Sequence, residues 1–185
     1  MNRHTVAALI VLVIGLITAR SARAQVIPSP PWGEPIQDPS RFVVLASFNN
    51  EAVYDQETGL VWEQSPSTTR QTWADALVSC NQKIAGNRKG WRLATLQELA
   101  SLVDPSMAVQ GDPTVLMLPA GHPFSNIQSS SFVYYWSGTN SALFPGTAWV
   151  VLFASFSFGD DVNTADKTSV FRAWCVRGGQ GVNPQ

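Results

Sequence analysis

NRKGWRLATLQELASLVD, residues 87–104, carries the local signals that decide the fold of this chain. Thr95 followed by Glu98 is a capping box, in which each side chain satisfies a backbone N–H of the first helical turn. Leu96, Leu99 and Leu102 with Val103 form the buried stripe of the predicted helix, and Asp104-Pro105 ends it. Trp91 to Leu93 just before it reads as a short buried strand or turn. Arg92 lies between two apolar residues and is expected to reach a carboxylate or backbone carbonyls. Arg88, Lys89 and Arg92 are the basic cluster of the domain, either a solvated face or a contact for an anionic ligand.

The same signals occur upstream. Thr72 and Asp75 start a helix whose inward face carries Trp73, Ala76, Leu77, Cys80 and Ile84, with Gly86 as its stop. Before it, Phe42 to Phe48 and Ala52 to Tyr54 read as strands, and DQETG, residues 55–59, turns the chain into a third strand, Leu60 to Glu63. Asp55 fits an Asx turn, because its carboxylate can accept backbone N–H bonds and Gly59 can take positive φ. A catalytic reading of Asp55 is the weaker alternative.

Downstream, Ser106 to Ser131 loses periodicity and is expected to be a long ordered loop of the kind that often carries binding surfaces. His122 lies in it between Gly121 and Pro123, and no second His or Cys is near to share a metal. Strands are predicted again at Val133–Ser137, Thr147–Phe153, Ser155–Phe158 and Thr168–Arg177, forming an antiparallel meander. In the last of these, Phe171, Ala173 and Cys175 share one face, while Val170, Arg172, Trp174 and Val176 share the other.

Residues 1–24 read as a secretory signal peptide: Arg3 and His4 precede an uncharged run, and Ala22-Arg23-Ala24 matches signal-peptidase cleavage. The run is too short to span a bilayer, so no transmembrane anchor is expected after its removal. Cleavage would leave 161 residues, 9 of them basic and 13 acidic, a balance of −4. That disfavours a nucleic-acid partner, which requires a broad basic surface. Residues 25–46 form a proline-rich arm and first strand, with Trp32 either packed on the domain or a neighbour, or exposed on a mobile tail. Residues 179–185 read as a flexible tail. Cys80 and Cys175 are the two cysteines, and an exported chain most simply joins them as a disulfide. Two free thiols, or a zinc site lacking its other ligands, are the alternatives.

The ordered series DQETGLVW from Asp55, W-x-x-A-x-x-x-C from Trp73, GWRLATLQEL from Gly90, YYWSGT from Tyr134 and WCVR from Trp174 resembles the DUF1566 domain. That family is also described as the carboxy-terminal domain of the Legionella collagen-like adhesin. The resemblance covers about residues 47–178. It implies an α+β, C-type-lectin-like or sulfatase-modifying-factor-like fold: two helices on a twisted antiparallel sheet, with long loops at one end. Ala94 replaces the family's usual proline after WRL. Glycosaminoglycan binding is attributed to the adhesin's domain, whereas this chain has a negative balance and lacks a collagen-like stalk.

The expected function is a secreted, non-catalytic binding module, adhesin-like or lectin-like, that recognises a glycan or an envelope protein through its loops; oligomers are compatible with it. No nucleophile, base and orienting group can be assembled from the sequence. Trp62, Trp73, Trp91, Trp136 and Trp174 fall in the motifs and are expected in the core, as is Trp149. The candidate ligand rings are therefore Phe124, Tyr134 and Phe144, with Arg88 and Lys89 as candidate charged contacts. No cofactor is expected, although Asp160, Asp161, Asn163 and Asp166 make a weak calcium candidate against a plain polar turn. The alternatives are a divergent formylglycine-generating oxidase, which needs a free thiol, and a structural envelope protein.

Overall fold

The computed structural model describes residues 40–109, 112, 114–128, 133–154 and 162–179. The signal peptide, the arm with Trp32, the strand expected at 155–158, Asp160, Asp161 and all but the first residue of the tail fall outside these residues. Among the described residues, nine short strands and two helices form a small α+β domain. In chain order they are β1 (Phe42–Val44), β2 (Ala52–Asp55), β3 (Val61–Glu63), α1 (Trp73–Gln82), β4 (Trp91–Leu93), α2 (Leu96–Ala100), β5 (Tyr134–Asn140), β6 (Thr147–Leu152), β7 (Val162–Asp166), β8 (Arg172–Ala173) and β9 (Cys175–Arg177).

Both helices begin where their caps place them. Thr72 accepts the Asp75 N–H at 3.3 Å, and Thr95 and Glu98 close the full capping box, with the Glu98 carboxylate accepting the Thr95 N–H at 2.8 Å. The end of α1 differs from expectation. It stops at Gln82, because Lys83 turns to φ −57°, ψ 138° and its ammonium pairs with Glu63. Ile84 therefore leaves the helical face and is 55% exposed. Gly86 stands beyond the helix at φ +58°, where a Cβ would lie 2.3 Å from the Cα of Phe48. Its lack of a side chain thus serves close packing rather than capping.

The single expected sheet is two sheets. One has the order β1-β2-β3-β9-β4 and is antiparallel throughout; the other has the order β7-β6-β5-β8. The expected terminal strand is divided between them: β8 pairs with β5 in parallel, and after Trp174 the chain continues as β9 between β3 and β4. The last segment is therefore not the end of a simple antiparallel meander. Phe42 to Phe48 likewise divides, into β1 and a 3-10 turn at Ala46–Phe48 that supplies Phe48 to the core.

Trp174 sits at the crossing point. Its indole N–H donates to the Glu63 carbonyl at 2.9 Å, and the rings of Phe124, Trp62, Phe153 and Tyr135 surround it at centroid distances of 4.9 to 5.9 Å. Edge-to-face contacts dominate, the geometry that ring quadrupoles favour. Burying a ring of this size contributes about 4–6 kcal/mol of transfer free energy at about 25 cal/mol per Å². Trp62, Trp91 and Trp136 are also buried, whereas Trp73 and Trp149 are half-buried. On the other side of the sheets, Cys80 of α1 is bonded to Cys175 of β9 with a Cα–Cα distance of 5.3 Å. Among the described residues, no helix is long and apolar enough to cross a membrane.

Candidate functional site

Register explains which charges meet on the surface. Val43, Tyr54, Val61 and Arg177 are successive cross-strand partners in β1, β2, β3 and β9, so their side chains share one face of the five-stranded sheet. Farther along this face the 3-10 turn lays Phe48 over Trp91, with ring centroids 6.5 Å apart. Val43 and Tyr54 stay uncovered, at 42% and 37% exposure.

Two guanidinium groups converge on Phe48. The Arg88 Cζ lies 4.9 Å from its ring centroid and that of Arg177 6.0 Å. Arg177 Nε also donates to the Lys89 carbonyl at 2.9 Å, which ties the last strand to the segment bearing the other two cations. Gly90 follows at φ +88°. Among the described residues, no carboxylate forms a salt bridge with Arg88, Lys89 or Arg177. A planar cation stacked on an aromatic ring loses little entropy when it binds an acidic group.

The basic cluster thus differs by one member from the one expected. Arg92 reaches a carboxylate: it makes a two-pronged pair with Glu98 at 2.6 and 2.7 Å and a third bond to the Gly178 carbonyl at 3.0 Å. Burial alone would raise the Glu98 carboxyl, but hydrogen bonds from Arg92 and from the Thr95 backbone outweigh it and hold the group below the usual range. Arg177 takes the vacated place. Its signal in the sequence was the two-residue spacing from inward-facing Cys175, legible only once the sheet order is known.

A second feature is a polar groove behind the Glu63–Lys83 ion pair. Two clefts of about 340 and 250 Å³ share that pair; Asn50, Glu51, Gln64 and Ser65 line the first, and Ser67, Thr69, Gln71 and Ser79 line the second. The long loop borders it through Gln64 Nε2, which donates to the Pro123 carbonyl at 2.7 Å, and Asn126 Nδ2, which donates to Ser65 Oγ at 2.6 Å. Burial pushes the Glu63 carboxyl up despite the Lys83 ammonium beside it.

The candidate rings separate by burial. Phe124, a candidate ligand ring, is 6% exposed and wedged between Phe42 and Trp174. Its side chain fills the core beneath the long loop and offers no free face. Tyr134 is half-buried against Phe171. Phe144 stands out at 62% exposure in the turn between β5 and β6, where Ser141 Oγ accepts its N–H. His122 stacks on Phe124 with centroids 5.9 Å apart, and burial pushes its imidazolium down in pKa.

The calcium candidate is altered by β7. GDDVNTADK was expected as a turn, but Val162 to Asp166 is a strand, and Asn163 and Asp166, three residues apart, point to opposite faces. Asp160 and Asp161 lie outside the described residues. Among the described residues no three His, Cys, Asp or Glu side chains gather in a way that would hold a metal ion. Asp55 makes the expected Asx turn, accepting the Glu57 N–H at 3.1 Å, and also pairs with Arg41, a partner that local reading did not supply.

The family model described as the Lcl C-terminal domain matches residues 51–177 of this chain. No curated protein matches it.

Proposed function

The chain belongs to the Lcl C-terminal domain family, and from that premise we propose that it is a non-catalytic, adhesin-like module of the bacterial exterior or envelope that binds an acidic surface glycan through Arg88, Lys89 and Arg177. The observation that carries this reading is the pair of arginines stacked on Phe48, with no carboxylate in a salt bridge to either among the described residues. Elsewhere in the domain, cations such as Arg41, Lys83 and Arg92 are spent on carboxylates. Exposed Tyr54 and Val43 lie on the same face, two and three strand spacings from Arg177, about 10 and 14 Å. A sugar ring can pack there while its acidic substituent reaches the guanidinium groups.

The negative balance of the whole chain does not oppose this contact, because screening confines such interactions to about 8–10 Å at physiological ionic strength. The oxidase alternative requires a free thiol, whereas Cys80 and Cys175 are bonded to each other. The reading also takes the two-helix, two-sheet arrangement as a C-type-lectin-like frame and residues 1–24 as its export signal.

Retention on an immobilised sulfated polysaccharide, compared with the same polymer after desulfation, tests the proposal. The native domain is expected to elute later from the sulfated matrix and earlier as salt rises, and Arg88→Ala with Arg177→Ala is expected to abolish the difference. Equal elution of native and doubly substituted protein would overturn it.

A further inference from the structure

Two arginines are buried in this domain, and they are served very differently. Arg41 has the Asp55 carboxylate, whereas Arg172, 7% exposed in β8, has neutral oxygens: the side-chain carbonyl of Gln128, which accepts from Nη2 at 2.7 Å, and the Tyr135 hydroxyl beside it. Its Nε and Nη1 are buried without a hydrogen-bond partner, and among the described residues no carboxylate forms a salt bridge with it. A guanidinium keeps its proton in proteins and so does not escape burial by becoming neutral. A buried charge without a counter-charge is strongly unfavourable, and the Gln128 amide and Tyr135 hydroxyl answer it with dipoles only.

The neighbourhood supplies further polar groups. Arg172 is the parallel partner of Tyr135 across β8 and β5, and the Tyr135 hydroxyl accepts the Gln128 N–H at 3.4 Å, which leaves its own O–H free to donate. Gln128 is exposed, so the guanidinium is bonded to a residue that solvent reaches.

We propose that Arg172 is the receptor for the carboxylate of a small organic acid, held by the free guanidinium N–H groups and the Tyr135 hydroxyl beneath Gln128. Charge balance selects the ligand class. A carboxylate carries the one negative charge that Arg172 needs, whereas a doubly charged phosphate would leave an excess charge in the same buried place. The site is separate from the Arg88–Arg177 face and stands or falls independently of it.

Thermal unfolding and calorimetric titration of the signal-free chain with sodium acetate and with sodium glucuronate test the proposal, with sodium chloride and phosphate at matched ionic strength as controls. A saturable rise in Tm with acetate identifies a bare acid as sufficient; a rise with glucuronate alone identifies a sugar acid. Either response supports the site if it weakens at least tenfold in Arg172→Gln and is unchanged in Arg70→Gln, which removes an exposed cation outside both sites. Tyr135→Phe keeps the guanidinium and the core volume, and is expected to weaken carboxylate binding severalfold even if Arg172→Gln does not fold. No saturable carboxylate response, a stronger response to phosphate, or an unaltered response in Tyr135→Phe overturns the assignment. So does a loss of stability in Asp160→Asn with Asp161→Asn equal to that of Arg172→Gln, since the counterion would then belong to the chain itself.

Discussion

Arg41 Nε and Nη2 donate to the two oxygens of Asp55 at 2.8 and 2.7 Å, and both side chains are buried. Arg41 Nη1 also reaches the Ser101 carbonyl at 3.2 Å, so the pair ties β1, the β2–β3 turn and the end of α2 together. Asp55→Asn leaves a buried guanidinium half-served and is expected to cost about 3–5 kcal/mol in urea unfolding. Asp55→Asn with Arg41→Met should recover much of that loss, because both charges are then removed.

The same carboxylate sets the acid limit of the fold. Burial raises its pKa, but the hydrogen bonds from Arg41 and Thr58 outweigh that effect and hold it below the ordinary value. A carboxyl depressed on folding contributes stability that is present above its unfolded pKa of about 3.9 and lost as pH falls through the folded value. Unfolding followed by circular dichroism should show this loss below about pH 4, and Asp55→Asn should show a shallower acid limb.

His122 acts in a higher window. Burial pushes its imidazole down, so the folded state binds the proton less well than the unfolded chain. Its contribution is present above about pH 6.5 and decreases as pH falls through that value toward the folded pKa. Tm measured between pH 7.5 and 5 should fall in the native protein and stay flatter in His122→Gln.

Reducing the Cys80–Cys175 bond frees a loop of 95 residues. The chain-entropy estimate for that length is about 4–5 kcal/mol, an upper figure for the stability lost. Cys80→Ala with Cys175→Ala should lower the urea midpoint by an amount within that limit, and native protein with reductant should match it. An unchanged midpoint would show that the bond constrains nothing.

At Gly86 the expected damage is both steric and local. A Cβ there meets Phe48 backbone at 2.3 Å, and φ is +58°. Gly86→Ala should destabilise the domain by about 1–3 kcal/mol. Because Phe48 supports Arg88 and Arg177, the variant should also release the polysaccharide at lower salt while remaining folded at 15 °C.

What the sequence disclosed tracks how far apart the interacting groups lie. Thr95 and Glu98 satisfy each other's backbone within one turn, so the start of α2 was legible residue by residue. The Cys80–Cys175 pair was legible for another reason: the chain holds two cysteines. The end of α1 was not, because Lys83 is drawn out of the helix by Glu63, a residue 20 positions earlier in another element. Phe124 looked like a loop ring because its neighbours are prolines and serines; its place in the core depends on Trp174, 50 positions later. The division of residues 172–177 between two sheets was equally hidden, since a continuous apolar alternation is compatible with one strand or two.

That division also decides how the domain answers a pull. The domain begins at β1, an edge strand, and closes at β9, three strands across, and Val43 and Arg177 stand in one cross-strand row, so both leave at the same end of the strands. Tension between them runs across the strands, the direction in which hydrogen bonds open one after another like a zip. The disulfide limits how far this failure runs: once β1 and β2 have opened, β9 cannot leave β3 and β4 without dragging α1 off the domain. A tethered module of this build should therefore yield at a markedly lower force once Cys80 and Cys175 are reduced.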